Sequence, residues 1–154
     1  MRRFPLVVAC LLALGLAPHF AHATADHGTA DEAKAMVEKA VALIKSEGPE
    51  KAFATFDDKS NKDFHDKDLY IFVRTFDGNT VAHGANVKLI GHTSLETRDA
   101  DGKLYVKEMV EDAKTKGNGW VDYNWPNPIS HKIEQKSSYI ERVGDYIVCA
   151  GFYK

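Results

Sequence analysis

The sequence predicts an α+β protein: a central antiparallel sheet of about five strands, with N-terminal helices and one inserted helix packed on it. Three observations carry this expectation. From about residue 30 to residue 56, apolar side chains recur at helical spacing. From Leu69 onward, short runs of aromatic and β-branched residues are punctuated by turn residues, as strands are. A single stretch of helical period, Lys103 to Lys116, interrupts those runs. The resulting order, αα-ββ-α-βββ with short connections, favours antiparallel pairing, because parallel neighbours need long crossovers.

The first helix is expected to start at Thr29 or Asp31, either of which can cap it, and to run to about Ser46. Met36, Val37, Ala40, Val41 and Ile44 form its apolar stripe. Gly48-Pro49 ends it and opens a second short helix, with Pro49 in the first turn and Phe53 and Phe56 buried. Residues 57–68 are dense in Asp and Lys and read as a solvated connection. An EF-hand loop is disfavoured there, because the glycine of its sharp turn is missing. Leu69 to Phe76 reads as a strand, Asp77-Gly78 as a hairpin turn, and Thr80 to His83 as the returning strand. A loop follows from Gly84 to Asp101. In the inserted helix, Leu104, Val106, Met109, Val110 and Ala113 point inward, and Gly117 and Gly119 stop it. Trp120 to Trp125, Lys132 to Val143 and Tyr146 to Tyr153 complete the strands.

The N-terminus has the form of an export signal. Arg2 and Arg3 precede an apolar run from Leu6 to Ala17, and Ala21-His22-Ala23 offers the small-x-small pattern a signal peptidase reads. Residues 1–23 are expected to be a signal peptide, residues 24–30 a flexible N-terminus, and residues 31–154 a single domain. The apolar run is too short for a transmembrane helix, which needs about 20 residues. Val7-Val8-Ala9-Cys10 resembles a lipobox, a less favoured fate for the same segment. A periplasmic or secreted protein, with no transmembrane segment in the mature chain, is the expectation. Removal of Cys10 would leave Cys149 as the one cysteine, so no internal disulfide can form; its apolar setting marks it as an inert core thiol. Lys and Arg number 20 against 22 Asp and Glu, for a formal net charge of −2, with no basic run. Nucleic acid is therefore not an expected partner.

Pocket chemistry concentrates in Gly119-Trp-Val-Asp-Tyr-Asn-Trp-Pro-Asn-Pro128, followed by Lys132, Lys136 and Tyr139. On a strand, Val121, Tyr123 and Trp125 share one face, and Trp120, Asp122 and Asn124 the other. Pro126 and Pro128 stiffen the turn and put Asn127 on a rigid corner. Aromatic walls with an ammonium and a tyrosine hydroxyl suit a small carboxylate. The same residues would equally serve an ordinary hairpin with aromatic cross-strand pairs. His83 and His92 are nine positions apart on irregular backbone with no third ligand fixed beside them, so no metal is expected. The nucleophile-elbow, P-loop, zinc-protease, Cys-x-x-Cys and dinucleotide motifs are all absent from the sequence, which predicts no catalytic residue and no cofactor.

Tyr70-Ile-Phe-Val, Asp77-Gly78, Val81-Ala-His83, Lys107-Glu-Met-Val110, the Gly119–Pro128 string, Lys132, Lys136-Ser-Ser-Tyr139 and Ala150-Gly-Phe-Tyr153 together resemble the single Cache domains of bacterial sensors. The resemblance covers about residues 31–154. It implies a PAS-like fold with a pocket between sheet and loops, outside the cytoplasmic membrane. It also implies a small organic molecule as ligand, often a short-chain carboxylate. By that resemblance Tyr123, Trp125, Asn127, Lys136 and Tyr139 fall at or near the pocket, with His83 at its lip. Two departures are visible: Gly84 stands where the family usually has proline, which should loosen that corner, and Val143-Gly-Asp-Tyr146 lacks an aromatic-rich turn. The sequence shows neither a receptor's flanking membrane helices nor a transmitter, so a membrane receptor or histidine kinase is the implied partner. An exported ligand carrier or small enzyme using the same pocket is the alternative.

Overall fold

The computed structural model describes residues 27–154. The expected signal peptide, with Cys10, lies outside the described residues, as do residues 24–26 of the expected flexible N-terminus. Within the rest of that stretch Gly28 is buried and its amide donates to an Asp68 carboxylate oxygen at 2.7 Å, while His27 Nδ1 lies 2.8 Å from the other oxygen.

Helix α1 (Ala30–Glu47) opens on a reciprocal cap. Thr29 Oγ1 accepts from the Glu32 amide, and the Glu32 carboxylate accepts from the Thr29 amide, so two orphan donors are satisfied together. Asp31 lies in the first turn instead, where its charge complements the helix dipole. The stripe Ala33, Met36, Val37, Ala40, Val41 and Ile44 is buried. Gly48 donates back to the Ile44 carbonyl, and Pro49 starts α2 (Pro49–Asp57), which buries Ala52 and Phe56.

The charged segment after α2 is more than a solvated connection. It forms a minimal hairpin, β1 (His65–Asp66) with β2 (Leu69–Tyr70), turned by Lys67 at φ 56°. Asp68 is wholly buried there, held by the N-terminal contacts above and by Asn127. A run of charges hid one that the fold takes inside.

Strands β3 (Phe72–Thr75) and β4 (Thr80–His83) make the expected Asp-Gly hairpin. A loop with one 3-10 turn (Val87–Leu89) leads to α3 (Tyr105–Thr115), two residues inside its expected start. Strands β5 (Asn118–Pro126), β6 (Ile133–Val143) and β7 (Tyr146–Tyr153) follow. The sheet is antiparallel throughout, in the order β4-β3-β7-β6-β5.

The sheet has apolar packing on both faces. Helices α1 and α2 cover the face formed by Val73, Ala82, Val143, Val148 and Ala150. Helix α3 covers the other through Tyr105, Val106, Met109 and Val110, against Val121, Ile140, Ile147 and Cys149. Burial pushes the Cys149 thiol up to about 12, an inert core group. No helix among the described residues is long and apolar enough to cross a membrane.

Candidate ligand-binding site

Helix α3 is too short to cover its face of the sheet completely. The remainder is roofed by the 84–104 loop and by the turn 126–132, and a cleft remains beneath them. One chamber, of about 230 Å³, is lined by Tyr70, His83, Asn86, Trp125, Asn127 and His131, among others. A second, of about 300 Å³, is lined by Arg74, Thr80, Ser94, Thr97 and Tyr105, among others. Leu89 and Trp125 belong to both and separate them.

The strand period explains which side chains arrive here. Tyr70 and Phe72 precede Arg74 at alternate positions, so all three point to this face. Arg74 is buried, with 3% of its surface exposed. One of its terminal nitrogens donates to Thr80 Oγ1 at 3.0 Å, to Ser94 Oγ and to the Gly78 carbonyl at 3.4 Å. Its Nε is buried without a partner among the described residues. No carboxylate appears in this set.

Lys136 of β6 brings a second cation to the same face, fully buried. Its ammonium sits 3.9 Å from the Tyr70 ring centroid and 4.7 Å from that of Tyr153, and it donates to the Tyr153 hydroxyl at 3.4 Å. The Tyr153 hydroxyl in turn donates to the Pro126 carbonyl on the chamber wall. Burial pulls the ammonium down to about 7, with the Asp68 charge opposing the shift. The lysine stem fits because the diagonal position on the neighbouring strand, Gly151 opposite Ser138, is glycine. A Cβ on Gly151 would stand 2.8 Å from Lys136 Cε and 2.2 Å from Ser138 Oγ.

His83 ends β4 with its ring stacked on Phe72, centroids 5.8 Å apart, and 5.2 Å from that of Tyr70. Nδ1 accepts from the Asn86 amide, and the His83 amide donates to Asp57 Oδ1. Burial, then the nearby Lys136 and Arg74 charges, press the imidazole down to about 3, so it is neutral at physiological pH. The residue expected at a lip is thus inside the wall. Gly84 does not loosen this corner either. The His65 ring lies against it, where a Cβ would meet Cε1 at 2.4 Å, and His65 Nε2 bonds the Phe56 carbonyl.

The four remaining expected residues have four different placements. Trp125 lines both chambers. Tyr123 lies behind the wall, stacked on Tyr105 at 4.4 Å between centroids, with its hydroxyl 3.0 Å from Ser138 Oγ. Asn127 is buried at the chamber edge, but its polar atoms are used by the turn. Oδ1 accepts from the Ile129 and Ser130 amides, and Nδ2 donates to Glu134 and Asp68. Tyr139 is a correction. It lies on the helix face, packed by Trp120 at 5.3 Å with Lys34 above its ring. Positions 136 and 139 are an odd number apart on one strand and so must face opposite sides. Arg74, Tyr105, Thr80 and Ser94 were not foreseen. The available signal was an arginine at alternate spacing from Tyr70 and Phe72 within an otherwise apolar strand.

An antiparallel five-stranded sheet with an N-terminal helix on one face and a loop-roofed cleft on the other defines a PAS-like sensor domain. Residues 60–154 match the Cache domain family, and this chain belongs to it. Helices α1 and α2 precede the matched segment. The sensor histidine kinase MctS of Rhizobium johnstonii is 33% identical over 89 residues, covering 56% of this chain and 19% of the kinase. This chain therefore spans a minor part of that relative's length. A structure described as the periplasmic sensor domain of a chemotaxis protein superposes with a TM-score of 0.63 at 26% identity, covering 80% of this chain and 88% of that one. A methyl-accepting chemotaxis protein from Vibrio parahaemolyticus gives 0.69 at 19% identity, covering 80% and 86%. A Cache chemosensory domain described for carboxylic acid recognition gives 0.62 at 23% identity, with the same coverage. The last two likenesses establish the fold alone. The chain is a Cache sensor domain, similar in sequence to a segment of a sensor histidine kinase and in fold and sequence to the periplasmic sensor domain of a chemotaxis protein. The family is one of extracytoplasmic sensors, not an enzyme class.

Proposed function

We propose that this domain, placed outside the cytoplasmic membrane, binds a small organic acid in the cleft and reports its bound state to a partner protein. One observation carries the reading: the buried Arg74 guanidinium, facing hydroxyls and a carbonyl with no carboxylate among them. A buried cation without a counter-charge is costly, and an entering carboxylate removes that cost while gaining charge-assisted hydrogen bonds. Arg74 is the primary anchor, and the aromatic walls of Tyr105 and Trp125 suit a short apolar tail. Lys136 adds positive potential through the Tyr70 ring, and Thr80 and Ser94 hold the guanidinium in place. Signalling follows only if the partner distinguishes the bound from the free state, since tight binding alone shifts no equilibrium.

The test is a thermal-shift comparison of acetate, propionate, pyruvate and lactate with chloride and propionamide. A ligand at about 100 times its dissociation constant adds about 2.7 kcal/mol of stability. The expected result is stabilisation by one or more carboxylates that disappears in Arg74→Met and weakens in Lys136→Met. Stabilisation by the neutral amide alone, or a carboxylate effect unchanged in Arg74→Met, overturns the reading. Turnover of the bound acid would make the protein an enzyme instead.

A further inference from the structure

Beside the first chamber runs a larger groove, about 520 Å³, that the cleft does not use. Lys59, Lys62, His65 and Lys67 form one wall and His131 stands on the other, with no Asp or Glu in the lining. In a chain with more acidic than basic residues, this groove gathers basic side chains without an acidic one among its lining residues. Lys67 is shared with Glu32 at 2.6 Å, whereas Lys59 and Lys62 are exposed and have no ion pair among the described residues. The floor is apolar, built from Leu69, Pro128 and Ile129. Ile129 is 49% exposed, and so is Val87, which follows the lining residue Asn86 in the chain.

We infer that this groove docks an acidic, amphipathic segment of a partner protein. The ammonium groups fit carboxylates, and the exposed isoleucine and valine fit intervening apolar side chains. Simple attraction of a small anion toward the cleft would explain the lysines but would give no role to the apolar floor. Ala85, Asn86, Pro128 and His131 line both the groove and the first chamber. A segment seated here therefore touches the same backbone that encloses the chamber, which is how a partner would read it. Only this last link rests on the sensor reading.

The test is fluorescence anisotropy with a labelled peptide of repeated Leu-Glu-Glu-Ala units, at low ionic strength and with no carboxylate ligand present. Saturable binding is expected. The Lys59→Glu/Lys62→Glu pair should weaken it by about tenfold or more, because close charge reversal costs several kcal/mol at most interfaces and some of that is screened here. Ile129→Ser should weaken it several-fold. The control pair Lys107→Glu/Lys114→Glu, exposed on α3, should leave it unchanged while altering net charge equally. If the Lys59/Lys62 variant does not fold, Ile129→Ser at its exposed site carries the test. The inference is overturned by absence of saturable binding, by equal weakening in the control pair, or by equal binding of a peptide with Ser in place of Leu, which marks a small-anion site. Failure here leaves the carboxylate reading standing, since Arg74 has no part in the titration. Peptide affinity unchanged by a saturating carboxylate would remove the coupling between groove and chamber.

Discussion

The two faces of the sheet are built from alternate residues of the same strands, yet they differ in what they bury. Toward α1 and α2 the wall is Val73, Ala82, Val143, Val148 and Ala150. Toward α3 and the loop the same strands present Arg74, Thr80, His83, Lys136 and Ser138, all buried. Large apolar side chains there contribute about 1.5–3 kcal/mol each on burial, whereas a buried cation works against stability unless it is paired. The comparison teaches that the helix face holds the fold together and the loop face uses part of that surplus to keep two cations out of water.

The sharpest way to break the contrast is on the stable side. Phe56→Ala, which removes a fully buried ring packed on Phe64 at 4.8 Å, should cost about 3–5 kcal/mol in urea unfolding. It should leave any carboxylate affinity of the folded protein unchanged; a matching loss of affinity would show that the faces are not separable. Gly151→Ala should cost about 1–3 kcal/mol by overpacking and should also displace Lys136, so its ligand response should fall with its stability.

Acidity sharpens the comparison next. The Lys136 ammonium is held near 7 in the folded state, below its ordinary value of 10.5. Between those values the unfolded chain binds more protons, so stability rises with pH across that window and the cost is fully present below it. Wild type measured against Lys136→Met should therefore gain up to about 1.4 kcal/mol per pH unit between pH 7 and 10. A flat difference would mean that the ammonium is solvated. His83, held near 3 instead of 6.5, has the same sign in a different window: stability falls as pH drops from about 6.5 toward 3. His83→Gln should remove that part of the acid sensitivity in a pH series of thermal melts. The smallest effect is expected at Trp120, 39% exposed on the helix face, where Trp120→Ala should cost about 1 kcal/mol and leave the cleft untouched.

Periodicity made α1, α3, β6 and β7 legible, because each has one face that must be buried. Composition misled at residues 57–68, where surrounding Lys and Asp masked the one aspartate, Asp68, that is enclosed. Trp125, Asn127 and His83 fall on the cleft, and the strand period alone would have removed Tyr139. Arg74 escaped notice because a lone arginine in a strand is usually a rim charge. Only the roof of loop 84–104, whose path depends on long-range contacts, makes it an interior one.

The pairing of β3 with β7 has a consequence for how the molecule is made. The β3–β4 and β5–β6 hairpins form from local sequence, but they join only through β7, which lies between them. Phe72 meets Cys149 across that seam, 77 positions along the chain, so the joining step is the slow, non-local one. Gly151 and Tyr153 arrive with the same strand. The cage around the Lys136 ammonium is therefore assembled last, and a nascent chain carries its cation in water until the final strand closes over it.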